Sequence, residues 1–170
     1  MKILVINGHP DKESFCQEIF RTIVENIDSN HHELESINLN EIDFDPVLRY
    51  GYRKRMEEDS FILRSQELIQ WADHFIFVYP IWWSSMPSLL KGWIDRVFTP
   101  GIAYSANNQG SFIWNYLRGQ QFKKLLKGKS ASIYATSMAP TWWYKAFSGP
   151  ISIPDSYGTV SYTHLTLPTK

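Results

Sequence analysis

The chain has 170 residues, a length typical of one domain with its own hydrophobic core. Its 17 basic residues balance its 17 acidic ones, which gives no overall electrostatic attraction to nucleic acid or to anionic lipid. The single cysteine, Cys16, excludes an internal disulfide and a multi-cysteine metal site. Since no apolar run reaches the roughly 18 residues of a membrane span, we expect a cytoplasmic protein without membrane insertion.

The predicted elements alternate between strands and helices. Lys2–Ile6 is rich in branched apolar residues and indicates a strand buried on both faces. Ser14 forms a capping box with Gln17, which predicts a helix start. The later elements are a strand Leu34–Leu39, an irregular loop Asn40–Met56, a helix Glu58–Trp71, a strand His74–Ile81, a helix Pro87–Phe98 and a strand Ser130–Thr136. This alternation predicts an α/β fold, a doubly wound parallel sheet with helices on both faces.

Three loops follow the carboxyl ends of predicted strands, the edge at which such sheets bind ligands. They are Asn7–Glu13, Pro80–Ser85 and Thr136–Thr141. The first loop leads into a helix N-terminus, whose free N–H groups suit a phosphate; a capped helix below a solvated loop is the alternative. The loop has neither a G-x-G-x-x-G nor a P-loop pattern, which argues against a dinucleotide-type turn.

The second loop contains two adjacent tryptophans, Trp82 and Trp83, where a polar turn is the usual choice. Backbone N–H groups in such a turn can face the edge of a planar ring, and the tryptophans can form a wall beside that ring. Packing of both side chains in the core is the alternative. Gly92, inside the next predicted helix, costs ~1 kcal/mol relative to alanine, so we expect a close approach there, to the sheet or to a partner subunit.

Two segments carry a resemblance to a known family. "YPIWWSSMPSLLKGWIDRVFTPGIAY" resembles the signature of the flavodoxin-like NAD(P)H:quinone reductases, the DT-diaphorase group, and "NGHPDKESF" is similar to that family's phosphate loop. The resemblance extends from Lys2 to about Pro150. It implies a flavodoxin-like sheet with strand order 2-1-3-4-5, a flavin cofactor (FAD or FMN) and NAD(P)H as co-substrate.

The resemblance also implies roles for individual residues. The phosphate end of the flavin is expected at His9, Ser14, Phe15 and Cys16. The isoalloxazine ring is expected at Pro80, Ile81, Trp82, Trp83 and Ser84, with their N–H groups near flavin N5 and O4, and its other side at Thr136, Ser137 and Met138. The third loop departs from the family, because "TSMAPTWW" lacks the two glycines of the usual Thr-Gly-Gly. Tyr104 and Tyr144 are the expected catalytic tyrosines near the quinone and the nicotinamide.

The implied function is that of a flavin-dependent NAD(P)H:quinone oxidoreductase, a homodimer that needs no metal and passes hydride from NAD(P)H through flavin to a quinone-like acceptor. One alternative is a flavin-binding regulatory or ancillary subunit of a potassium-efflux system. A second is a one-electron carrier like flavodoxin, against which the balanced charge argues. A third is a fragment without function.

The last residues, 156–170, do not match the predicted flavodoxin-like domain, 1–155. They end in "VSYTHLTLPTK", which shows neither a helical period nor a clear strand pattern. We therefore expect a C-terminally truncated domain that lacks its fifth strand and carries a non-native tail; a disordered native tail is the alternative. Because an unpaired fourth strand would be an open sheet edge, we expect lower stability and more aggregation than in a full-length parent.

Overall fold

The computed structural model describes residues 1–83, 85–106, 122–137 and 160–165. In chain order its elements are β1 (Lys2–Asn7), α1 (Phe15–Asn26), β2 (Glu33–Asn38), a 3-10 turn (Leu39–Glu41), α2 (Ser60–Trp71), β3 (His74–Pro80), α3 (Ser88–Val97), β4 (Tyr104–Ala106), β5 (Phe122–Lys124), β6 (Ser130–Thr136) and β7 (Val160–Leu165). The main sheet has the order β2-β1-β3-β6-β7, with every pair parallel. The predicted doubly wound fold and its 2-1-3-4-5 order are confirmed. The small antiparallel sheet of β4 and β5 was not predicted.

Local capping fixes where the helices begin. The Ser14 hydroxyl accepts a hydrogen bond from the N–H of Gln17 at 3.2 Å, so α1 starts where the capping box predicted. Before α2, the carboxylate of Asp59 accepts from the N–H groups of Phe61 and Ile62, which starts this helix two residues later than predicted. Among the described residues, no helix combines the length and the apolar composition that a membrane span requires.

The sheet separates two hydrophobic cores. On one face, Ile3 and Val5 of β1 pack in a cluster with Phe20 of α1. On the other face, Leu4 and Ile6 belong to the larger cluster that includes residues of α2 and α3. Since these four residues of β1 are at most 5 % exposed, the prediction of a strand buried on both faces is confirmed.

Gly92 lies where α3 meets the loop between β2 and α2. A Cβ at this position would lie 2.4 Å from the carbonyl oxygen of Pro46. The predicted close approach therefore exists within the chain, and its neighbour is this loop and not the sheet. The guanidinium of Arg96, one turn further along α3, donates to the carbonyl of Asp45 at 2.5 Å and holds the same part of the loop.

The prediction that the fifth strand is missing is wrong. Val160–Leu165 forms β7, which pairs in parallel with β6 from Ala131↔Val160 to Thr136↔Leu165. Two facts account for the difference: valine, tyrosine and threonine favour extended backbone, and an unpaired β6 would leave a row of backbone groups without partners. Whether residues 156–170 are native to the domain stays a prediction.

Candidate functional site

The carboxyl ends of β1, β3 and β6 bring the three predicted loops together. The N–H of Gly8 donates to the carbonyl of Val78 at 2.8 Å, which ties the first loop to β3. The N–H of Ile81 donates to the carbonyl of Thr136 at 2.8 Å, which ties the second loop to the start of the third. A side-chain contact of 3.3 Å between Cys16 Sγ and Thr136 Oγ1 joins α1 to β6. The described parts of the three loops thus form one continuous surface at this sheet edge.

His9 occupies the junction of the first and second loops. Its ring meets the ring of Trp82 edge-on, with centroids 5.4 Å apart and planes at 75°. The N–H of Asp11 donates to His9 Nδ1 at 3.0 Å, so in the neutral ring the proton is on Nε2. Burial lowers the pKa of His9, and the nearby Asp11 opposes this effect in part. At neutral pH the ring is therefore neutral and offers Nε2–H as a donor.

The second loop is a tight turn that holds Trp83 in an uncommon conformation. Trp82 and Ser85 exchange two backbone hydrogen bonds, of 2.9 and 3.0 Å. Between them, Trp83 has φ = +50°, a left-handed conformation that costs roughly 1–3 kcal/mol in a bulky residue. Its side chain is fully exposed at 101 %, and that of Trp82 is 46 % exposed. The alternative that both tryptophans pack in the core is therefore wrong.

Most backbone donors of this turn are already used. The N–H groups of Ile81, Trp82 and Ser85 donate to carbonyls of the protein. Among the described residues of the turn, the N–H of Trp83 makes no hydrogen bond, so it is the donor left for a ligand. Strain and an unused donor thus coincide at the same residue.

The residues predicted for the phosphate end differ in exposure. Phe15, at the first position of α1, is 40 % exposed, whereas Cys16 is 1 % exposed. Burial raises the pKa of the Cys16 thiol, and the hydrogen bond with Thr136 opposes this in part. The thiol is therefore protonated at neutral pH and supports the site from inside. Ser14 accepts a bond from Gln17 and keeps its hydroxyl hydrogen for donation.

The remaining predicted residues are placed as follows. Pro80 and Ile81 are buried, and Thr136 and Ser137 are half-buried. Ser84, Met138 and Tyr144 lie outside the described residues. Tyr104, on β4, is half-buried and meets the ring of Phe122 edge-on at 5.5 Å. Among the described residues, no hydrogen bond or ring contact joins Tyr104 to the three loops.

A group of four carboxamides below the first loop, two buried and two half-buried, was not predicted. We call Asn7, Gln17, Asn38 and Asn40 the amide cluster. Asn7 Nδ2 donates to Gln17 Oε1 at 2.8 Å and to Asn38 Oδ1 at 2.9 Å, and Asn40 Nδ2 donates to Gln17 Oε1 at 3.0 Å. The available signal was the asparagine that ends the apolar strand "KILVIN", because a polar residue at the carboxyl end of a parallel strand lies at the ligand edge.

A cavity of about 500 Å³ lies elsewhere, between the segment 48–59, α2 and the residues after α3. Its lining mixes cationic Lys54 and Arg55 with anionic Glu57 and Glu58 and includes no residue of the three loops. The three loops form an open surface instead, since the ring of Trp83 is uncovered. We place the candidate site at the loops, where strain, an unused donor and exposed aromatic rings converge. Among the described residues, no group of three or more His, Cys, Asp and Glu side chains could hold a metal ion.

Comparison with known proteins identifies relatives along nearly the whole chain. The model of the Flavodoxin_2 family, described as a flavodoxin-like fold, matches residues 1–159. The ribosyldihydronicotinamide dehydrogenase-like protein traD of Penicillium crustosum is 29% identical over 186 residues, which cover 95% of this chain and 68% of the relative. The ribosyldihydronicotinamide dehydrogenase [quinone] of Mus musculus is 27% identical, over 78% of this chain and 66% of its own length.

A solved structure is similar to this chain over nearly its whole length. The crystal structure of Smu.1420 from Streptococcus mutans superimposes with a TM-score of 0.75 at 34% identity, covering 98% of this chain and 87% of that one. The chain spans between 53% and 68% of the length of three curated relatives that it matches. The family resemblance predicted from the two sequence motifs is confirmed.

Proposed function

Since the chain belongs to the Flavodoxin_2 family of flavodoxin-like proteins, we propose that it is a flavin-dependent NAD(P)H:quinone oxidoreductase. The relatives support the oxidoreductase class, because those in mammals are named dehydrogenases of ribosyldihydronicotinamide that act with quinone. The proposal includes a reduced nicotinamide as the hydride donor and a quinone-like compound as the acceptor.

The observation that carries the proposal is the turn at Trp82 and Trp83. A fully exposed tryptophan with a strained backbone destabilises the free protein. Tryptophan nevertheless stands at this position, where its backbone preference favours another residue. A flat ligand that covers the indole and accepts from the Trp83 N–H offsets this cost. An isoalloxazine ring has both properties, a flat π-face and polar edge atoms.

The phosphate end of a flavin fits the first loop. The N-terminus of α1 presents free N–H groups and a partial positive charge. His9 Nε2–H and the Ser14 hydroxyl add two further donors, one within the loop and one directly after it. Because both donors are neutral, they hold a phosphate by hydrogen bonds, and the exposed Lys12 supplies a charge nearby.

When bound, a flavin supplies a site that takes up hydride from a reduced nicotinamide and passes it to the acceptor. The residues of this chain orient the ring and exclude water. Trp82 and Trp83 would hold one side of the ring, and the N–H of Trp83 would stabilise negative charge at its edge. Thr136 and Ser137 would line the opposite side.

We further propose a cytoplasmic homodimer. The resemblance implies that the flavin sites of the family lie at a dimer interface. Within one chain, no hydrogen bond or ring contact among the described residues links Tyr104 to the three loops. A second copy that covers the exposed Trp83 would close the open surface and could supply a Tyr104 to orient the substrate or relay a proton.

The alternative function, an ancillary subunit of a potassium-efflux system, has no support in the relatives named above. The two functions still differ in a simple measurement, because an ancillary subunit would bind flavin without quinone turnover of its own. Quinone reduction by the purified protein alone therefore separates them.

The test is the absorption spectrum of the purified protein after incubation with FMN or FAD and desalting. We expect retained oxidised-flavin absorbance, which NADPH, NADH or ribosyldihydronicotinamide bleaches and menadione restores. Retained flavin that no donor bleaches would favour the ancillary subunit. A folded protein that retains neither flavin would refute the proposal.

A further inference from the structure

The amide cluster contains one side chain in which both the nitrogen and the oxygen have hydrogen-bond partners. Asn7 is completely buried, donates to Gln17 and Asn38, and accepts from the backbone N–H of His9 at 3.1 Å. Its three partners come from three places, the helix α1, the end of β2 and the first loop. Asn7 therefore connects the rigid part of the fold to the loop that carries His9.

The cluster fixes which way the Asn7 carboxamide points. If its oxygen and nitrogen were exchanged, the oxygen would face the carbonyl oxygens of Gln17 and Asn38, and the nitrogen would face the His9 N–H. Each of these pairs would be repulsive, and buried polar groups would lose their partners. Asn40 reinforces the arrangement, since it donates to the same Gln17 oxygen.

The same chain of contacts continues to the surface. The held backbone of His9 sets its ring edge-on against Trp82, with Asp11 fixing Nδ1 as an acceptor. Asn7 itself cannot touch a ligand, because it is 0 % exposed. It acts on the site through its partners: directly on the His9 backbone, and through Gln17, whose N–H donates to Ser14.

We propose that Asn7 is a positioning residue: its carboxamide, oriented by Gln17 and Asn38, places His9 for contact with a flavin phosphate and against Trp82. This inference rests on the proposed flavin-binding function for its second half. Its first half, the placement of the His9 ring, holds in the protein without flavin and can be measured there.

A purely structural role is the competing explanation, because removing any buried polar side chain leaves partners unsatisfied. Ser65 provides the matched control. It is also 0 % exposed and accepts a hydrogen bond, from Trp93 Nε1 at 3.1 Å, but it lies on α2, and among the described residues no hydrogen bond joins it to the three loops. Asn7→Leu and Ser65→Ala each remove a buried polar group, and only the first releases His9.

Two readouts decide between the explanations. The first is the proton NMR spectrum of the His9 ring, whose signals are assigned by their loss in His9→Gln. The Trp82 ring shifts these signals only while the edge-on contact persists, so they report the placement of His9. The second is FMN affinity from fluorescence titration. In Asn7→Leu we expect the ring signals to move toward free-histidine values and FMN to bind about tenfold more weakly, a change of ~1.4 kcal/mol. In Ser65→Ala both should stay at wild-type values.

A folded Asn7→Leu protein with wild-type His9 signals and wild-type FMN affinity would overturn the inference. If Asn7→Leu does not fold, Asn38→Ala decides by the same readouts, because it removes one acceptor from the Asn7 carboxamide at a half-buried position. Unchanged signals in Asn38→Ala would then overturn it. If the wild-type protein binds neither FMN nor FAD, the proposed function fails, while the NMR comparison still tests the placement of His9.

Discussion

Replacing Trp83 by glycine separates the stability of the fold from the function of the turn. The Trp83 ring is fully exposed, so its removal gives up no buried apolar area in the free chain. Glycine adopts φ = +50° without steric cost, which recovers the roughly 1–3 kcal/mol of backbone strain. The greater freedom of glycine in the unfolded chain costs roughly 0.4–1 kcal/mol. The recovered strain offsets this cost, so we expect the free energy of unfolding to stay unchanged or to rise by up to about 2.5 kcal/mol.

The effect on flavin binding should be larger. Stacking on an aromatic ring contributes roughly 0.5–1.5 kcal/mol beyond burial, so loss of the Trp83 indole should weaken FMN binding about fivefold. Urea unfolding of the flavin-free protein gives the first quantity and fluorescence titration with FMN gives the second. Tyr50→Ala is the control for the titration, since Tyr50 is also an exposed aromatic residue, 43 % exposed, and lies outside the three loops.

Each arm can refute the reasoning separately. A destabilisation of the flavin-free protein by more than ~2 kcal/mol would mean that the Trp83 ring is packed in solution, because exposed substitutions rarely cost so much. Unchanged FMN affinity in Trp83→Gly would mean that this ring does not contact the flavin. Equal weakening in Tyr50→Ala would assign the loss to a general surface effect.

Three further predictions concern other parts of the chain. Gly92→Ala should destabilise the protein by ~1–3 kcal/mol in urea unfolding, because the new Cβ meets the Pro46 carbonyl at 2.4 Å; a more stable variant would contradict this packing. Tyr104→Phe should lower kcat for quinone reduction at least tenfold with unchanged FMN affinity if its hydroxyl relays a proton, and wild-type kcat would exclude that role. Burial lowers the pKa of His74 in the fold, so the unfolded chain binds the proton first and stability should fall as the pH drops below ~6.5. His74→Gln should flatten this dependence between pH 5 and about 7; an unchanged slope would assign the effect to other groups.

The helices and central strands could be predicted because local rules and tertiary packing agree there. In α1, the cap at Ser14 and the apolar stripe that contains Phe20 indicate the same helix. In β1, continuous apolar residues are explained by burial on both faces. The third loop could be located from the end of β6, although Met138 lies outside the described residues.

The features that sequence reasoning missed depend on distant partners. The close approach at Gly92 was predicted, but its neighbour, Pro46, is 46 positions away in the chain and has no pattern that marks the contact. Segment 160–165 pairs with β6 through backbone hydrogen bonds, which composition indicates only weakly. Asn7 was missed because an asparagine at a strand end also suits an ordinary turn.

At the candidate site two residues depart from their local preferences, one of them buried and the other exposed. Asn7 buries a polar group that an apolar strand end does not need, and Trp83 exposes an apolar ring in a backbone conformation that it disfavours. Either feature alone has a structural explanation. Together they lie at the two ends of one line of contacts, from the buried carboxamide through the His9 backbone and ring to Trp82 and its neighbour. Because the exposed and strained Trp83 does not stabilise the free chain, its connection to Asn7 through His9 is best explained by a ligand that contacts the exposed end of this line.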